Sequence, residues 1–210
     1  SVDGYDLFTS RDMLAALVLL GSTHGSADIT GGVSDPERIS RLTSHLELLG
    51  MMAGKYIISG VKLHHPDLIF LGEYAASRYQ IPLYIYENAK ALPRFYFASF
   101  PVATPGKSLA ALLEEGRKDF RTRTYIDCDD CIDDSPRREE GHIEIMESKS
   151  GVIRLSTDAS SPGWLVISES YLPGWSAEID ESEATIVRAN GLYMAVLLPS
   201  GKHKVTFEYN

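Results

Sequence analysis

The chain has few cysteines, no long apolar run and no surplus of positive charge. Two cysteines in 210 residues do not make a disulfide scaffold. The longest apolar run, Met13 to Leu20, falls far short of the ~20 residues that carry a helix across a bilayer. Lys and Arg number 20 against 29 Asp and Glu, a net charge of -9. A nucleic-acid or anionic-membrane binder would show a basic patch instead. Ser1-Val2-Asp3 has neither a basic n-region nor an apolar h-region, so no signal peptide is read there. The expectation is a cytosolic chain or a soluble piece of a larger one. Gly21 to Ser26, with Thr30-Gly31-Gly32, is Gly-rich but lacks Gly-Lys-Ser/Thr and a strand leading into it. It reads as a loop rather than a phosphate cradle.

What is present is ordinary globular chemistry, with 44% hydrophobic and 23% charged residues. The length suits one large domain or two small ones. Helical spacing marks Arg11 to Leu20. A second helix starts at Ser34-Asp35-Pro36-Glu37, a cap followed by Pro and an acid. It carries Ile39, Leu42, Leu46 and Leu49 inward and stops near Gly50. Short strands are read at Lys55–Ser59, Pro82–Glu87 and Arg94–Ala98. Asp67–Leu71 reads as weakly helical or extended, and Pro101–Gly106 as a connector. Ser108–Asp119 is a further helix, with Leu109, Leu112 and Leu113 as its stripe. After Phe120 the pattern is all strand: Thr122–Asp127, His142–Ser148 and Val152–Thr157, then a meander. The predicted fold class is therefore α+β. A small N-terminal α/β layer (1–119) is followed by a C-terminal antiparallel β-sandwich (120–210).

The meander runs from Gly163 to Tyr209. Trp164/Val166 and Leu165/Ile167 are apolar on both alternating sets, as in a strand covered on both faces. Leu172-Pro173-Gly174-Trp175 has the Pro-Gly order of a type II turn. Trp175, Ala177 and Ile179 alternate with polar residues, so one face is buried. Asn190-Gly191 is a strong hairpin signal joining Thr185–Arg188 to Leu192–Leu198. The last strand puts His203, Val205, Phe207 and Tyr209 on one face.

Several segments resemble one family when taken in order. They are Val2-Asp3-Gly4-Tyr5-Asp6, Gly54-Lys55-Tyr56-Ile57-Ile58-Ser59, and Tyr86-Glu87-Asn88-Ala89 with Ala91-Leu92-Pro93-Arg94. Ser170 to Ala177, Arg188 to Tyr193 and Leu198 to Val205 follow. They are similar to YfhO-type proteins, large polytopic membrane proteins of prokaryotes related to the GT-C glycosyltransferases that use lipid-linked sugars. The hairpin at Asp180-Glu181-Ser182-Glu183 departs from the pattern by lacking Gly. The Gly-rich loop and the Cys128/Cys131 segment are also departures. The resemblance implies a non-catalytic, extracytoplasmic C-terminal part of a membrane-embedded glycosyltransferase. Its expected partners are the parent's transmembrane helices and a glycan or lipid-linked sugar. No position matches the family's catalytic acid, so no catalytic residue is carried over, and no cofactor is called for. The alternative is a freestanding carbohydrate-binding or adhesion module.

Candidate sites are weighed against plain structural roles. Cys128-Asp129-Asp130-Cys131 lies in an acidic run. Asp127, Asp129, Asp130 and Asp133 are candidate cation ligands, without the Gly-punctuated spacing of an EF-hand. A zinc site would need a second ligand pair, and the acids would raise rather than lower a thiol pKa. A local disulfide or free thiols remain the main reading, and the two stay open. His64-His65 point to opposite faces of an extended segment. His203 reads as a core-edge histidine with a satisfied hydrogen bond. Glu169, Glu178, Asp180, Glu181 and Glu183 lack the desolvated pair that glycoside hydrolysis needs. Tyr171, Trp175 and Tyr193 are candidate glycan contacts, though core packing is favoured for Trp175.

Overall fold

The computed structural model describes Ser40 and residues 43–76, 81–129 and 141–210. The helix expected at Arg11–Leu20, the Gly-rich loop, Ile39, Leu42, Asp130, Cys131 and Asp133 lie outside the described residues. The chain divides into two compact units between Leu92 and Pro93.

The described part of the smaller unit opens with helix α1, Leu46–Met51. It ends where expected, and Leu46 is buried. Leu48 and Gly50 are buried where the spacing pointed to Leu49. The reason is a close approach at the last turn. A Cβ on Gly50 would sit 2.2 Å from the Lys90 carbonyl oxygen, and Leu92 N donates to Gly50 O at 2.9 Å. Strands β1 (Tyr56–Ser59), β2 (Leu68–Ala76) and β3 (Ile81–Asn88) form an antiparallel sheet in the order β1-β3-β2. Its inner face packs Ile57, Leu68, Tyr84 and Tyr86 with Val61 and Leu63. Asn88 ties the sheet to α1: its Nδ2 donates to Leu46 O and Gly54 O.

The larger unit is a two-sheet sandwich. One sheet has five strands, in the order β11 (Ser182–Ala184), β10 (Trp175–Ile179), β14 (Gly201–Tyr209), β8 (Val152–Ala159), β7 (Gly141–Lys149). The other has six, in the order β4 (Phe95–Phe97), β9 (Gly163–Ser170), β13 (Tyr193–Leu198), β12 (Val187–Ala189), β6 (Thr124–Ile126), β5 (Pro101–Ala103). Ile153, Leu155, Ala177, Val205 and Phe207 of the first sheet meet Phe95, Leu165, Ile167, Met194 and Val196 of the second. These are the inward sets of alternating strands.

The second sheet is also covered on its far face. Trp164, Val166, Ala189 and Ala195 form a separate cluster there with Ala98 and Ile126. That is why β9 reads apolar in both alternations. Pro101–Ala103, expected as a connector, instead pairs in parallel with β6. Such a pair needs a crossover, and helix α2 (Leu109–Glu114) lies within it. Ser108 caps α2 by accepting from Ala111 N at 3.3 Å. The helix is shorter than its stripe suggested, because Gly116 turns the chain with φ +74°.

The Asn-Gly turn does more than reverse the chain. Asn190 is fully buried with φ 51°. Its Oδ1 accepts from Tyr125 N at 2.9 Å, and its Nδ2 donates to Tyr96 Oη at 3.0 Å. Gly191, with φ 68°, lets α2 approach: a Cβ there would lie 2.2 Å from Leu109 N.

Candidate functional site

One end of the sandwich opens between its two sheets. The turn Pro173-Gly174 delivers Trp175 to the start of β10, opposite Tyr209. Their rings meet edge to face at 5.4 Å. From the other sheet β9 brings Glu169, and the chain entering β4 brings Arg94, whose carbonyl accepts from Ser168 N. The β7–β8 turn, Lys149-Ser150-Gly151, closes the side. Trp175, Glu169, Arg94 and the Lys149-Ser150-Gly151 turn line a cleft of about 200 Å³ with Ile153 and Ser148.

Arg94 spans the gap. Its Nη1 donates to Ser148 Oγ at 3.1 Å, and its Nη2 pairs with Glu169 Oε1. Its guanidinium also stacks on Phe95 at 5.3 Å. The cleft thus offers one aromatic wall and a planar donor–acceptor pair. Most of its lining residues are polar, and Trp175 and Ile153 supply the apolar part.

Of the three aromatic candidates, only Trp175 lines this cleft. Trp175 packs half-buried against the core, as its alternation predicts. Tyr171 is exposed, and Arg188 stacks over its ring at 5.3 Å. Tyr193 is only 3% exposed. Burial pushes its phenol well above the ordinary value, and Tyr96 and Glu169 nearby push it further. A ring so enclosed has no face to offer a sugar in solvent.

The acidic run is partly visible. Asp127 Oδ1 accepts from Gly106 N at 2.5 Å, and its Oδ2 lies 3.9 Å from Arg188 Nε. Asp129 is exposed. Cys128 is half of a disulfide. Among the described residues no three His, Cys, Asp or Glu side chains gather in a way that could hold a metal ion.

A wider depression of about 500 Å³ lies on the outer face of the five-stranded sheet, around Asp180, Lys202 and His203. No Trp, Tyr or Phe lines it, and two of its charged residues, His203 and Asp180, pair with each other. His203 Nδ1 donates to Asp180 Oδ2 at 2.6 Å and its Nε2 to Ser200 O at 3.2 Å. Both partners are acceptors, so the imidazolium satisfies both. The Asp180 hydrogen bond accordingly holds His203 above its ordinary pKa, against a smaller opposing effect of burial. Asp180 also accepts from Lys204 N at 2.8 Å. These contacts pin a two-residue hairpin in which Asp180 and Glu181 take φ 50° and 66° without the usual Gly.

Residues 135–210 match the family model described as bacterial membrane protein YfhO. The chain carries a YfhO-type segment. The words Ser170–Ala177, Arg188–Tyr193 and Leu198–Val205 lie inside the match, and the upstream words lie before it. In the YfhO-type segment they form the Pro-Gly turn into β10, the Asn190 anchor and the last hairpin. That family is one of bacterial membrane proteins, and no described helix of this chain is long and apolar enough to cross a membrane. No curated protein and no solved structure matches the chain.

Sequence reasoning missed the cleft as a unit. Glu169 stood among five scattered carboxylates, and Arg94 ended a family word. Their separation, 75 positions, left no local signal. Glu169 lies in β9 and Arg94 just before β4, and only the β4–β9 pairing brings them together.

Proposed function

We propose that this chain is the extracytoplasmic accessory part of a membrane-embedded, GT-C-like glycosyltransferase. It works beside the parent's transmembrane helices and performs no turnover itself. Its Trp175 cleft holds the sugar of a glycan acceptor or of a lipid-linked donor. The ring stacks on the sugar's C–H face, while Glu169 and Arg94 bind hydroxyls through charge-assisted hydrogen bonds. The match of residues 135–210 to a bacterial membrane protein family carries the reading. The net charge of -9 supports partners other than nucleic acid. The same cleft favours a second reading, a freestanding carbohydrate-binding or adhesion module.

The test is topology in intact cells. Lys202 is 83% exposed, so Lys202→Cys presents a thiol at the surface. A membrane-impermeant maleimide should label the variant in the cell-bound parent protein before permeabilisation. Labelling only after permeabilisation refutes the extracytoplasmic assignment. Label recovered in a secreted chain free of membrane favours the freestanding module.

A further inference from the structure

Among the described residues, the sheet of the smaller unit has one covered face and one exposed face. On the exposed face the register sets Tyr56 and Ile69 beside Glu87, Ile58 beside Ile85, and Tyr74 beside Leu83. Tyr56, Ile58, Ile69 and Tyr74 are 60%, 64%, 51% and 59% exposed. Single exposed apolar residues are ordinary, but neighbours on one sheet face are not. A bulge between Phe70 and Gly72 interrupts the register of this face, and the Tyr74 ring lies 3.3 Å from a Cβ position on Gly72. The one carboxylate on this face, Glu87 between Tyr56 and Ile69, faces Lys55 at 3.6 Å, and Lys62 faces Glu73 at 3.9 Å.

Charge is also unevenly spread along the chain. Residues 14–92 hold six Lys/Arg and seven Asp/Glu, so this unit carries one of the nine net negative charges. A near-neutral unit meets a lipid surface without the repulsion the acidic remainder would feel. Aliphatic side chains between tyrosines match the lipid interface, where tyrosine's apolar ring and polar hydroxyl are both satisfied.

We propose that the Tyr56–Ile58–Ile69–Tyr74 face lies on the bilayer surface as an apolar, charge-independent contact. The proposal rests on the membrane association of the family and not on the sugar cleft. It adds the contact surface and its chemistry. The net negative charge of the chain works against binding driven by anionic lipid, so zwitterionic lipid is the expected partner.

The full 210-residue chain is floated with phosphatidylcholine vesicles, with and without phosphatidylglycerol. The expected result is binding to phosphatidylcholine alone, retained in high salt and not strengthened by phosphatidylglycerol. Ile58→Asp and Ile69→Asp should each lower the partition coefficient about tenfold, as expected for replacing an inserted aliphatic group by a charge. Met146→Asp, at an exposed apolar residue of the larger unit, should leave it unchanged. Ile58→Trp gives a signal that does not depend on loss: its emission should shift to the blue with vesicles and be quenched by brominated lipid. Trp175→Ala should keep vesicle binding, which separates this proposal from the sugar reading. Absence of binding to every vesicle, binding only with phosphatidylglycerol, or insensitivity to both aspartates overturns the proposal. So does a wild-type dimer that ignores vesicles and becomes monomeric with Ile58→Asp, which would assign the face to a second copy.

Discussion

Replacing Asn190 tests whether the Asn-Gly turn is an internal anchor of the sandwich. In Asn190→Ala, Tyr125 N loses its acceptor in a site with no solvent exposure, a loss of about 1–3 kcal/mol. The hydrogen bond to Tyr96 Oη goes too, although Thr124 remains beside that hydroxyl. The backbone adds its own penalty. At φ 51° alanine meets the left-handed strain that asparagine tolerates, about 1 kcal/mol. The expected loss is about 3–4 kcal/mol. Asn190→Gly removes the side chain but accepts the backbone, so it should lose about 1 kcal/mol less than alanine. Urea unfolding followed by tryptophan fluorescence reads the larger unit alone, because both tryptophans, Trp164 and Trp175, lie in it. Losses below about 1 kcal/mol for both variants would sink the anchor argument. Equal losses for glycine and alanine would remove the strain component.

Four further expectations follow from the same geometry. Gly191→Ala places a methyl group against the α2 backbone at positive φ, so expression should yield little folded protein and the urea midpoint of any recovered chain should collapse. Trp175→Ala strips a half-buried ring from Tyr209 and the core edge; a loss of about 2 kcal/mol is expected, along with any sugar-induced fluorescence change. Glu181→Gly relieves a non-glycine residue at φ 66° and should raise stability by about 1 kcal/mol in the same urea assay. For the His203–Asp180 pair the signs are separate. The Asp180 hydrogen bond raises His203, so that stabilisation is present below its ordinary 6.5 and lost as pH rises through the raised value. The same bond lowers Asp180, so its share is present above 3.8 and lost as pH falls through the lowered value. Wild type should therefore be best supported between about pH 4 and 6.5. Its urea midpoint should fall from about pH 6 to 8, and His203→Gln should flatten that fall.

Much of the larger unit was legible because its signals are local. Alternation marked β10 and β14, and the Asn-Gly turn marked the start of β13. The double alternation of β9 foretold a strand covered on both faces, and the clusters built on Leu165/Ile167 and Trp164/Val166 show both coverings. The half-buried, hydrogen-bonded His203 was legible from its place among Val205 and Phe207. Legibility failed where pairing rather than pattern decides. Pro101–Ala103 has no alternation to show, and it becomes a strand because Thr124–Ile126 offers a parallel partner. The hairpin at Asp180-Glu181 lacks glycine, and long-range hydrogen bonds from His203 and Lys204 hold it.

The sequence by itself determined which stretches extend, where they turn, and the family of residues 135–210. These depend on period-two burial and turn chemistry, which act over a few residues. Only the tertiary structure decided what those turns hold. Asn190 proved to be a buried hydrogen-bonding hub, Arg94 a bridge between sheets, and Tyr193 an enclosed ring. It also left Tyr56, Ile58, Ile69 and Tyr74 exposed on one face of a small sheet. Each of these outcomes joins residues distant in sequence, so no local window contains it.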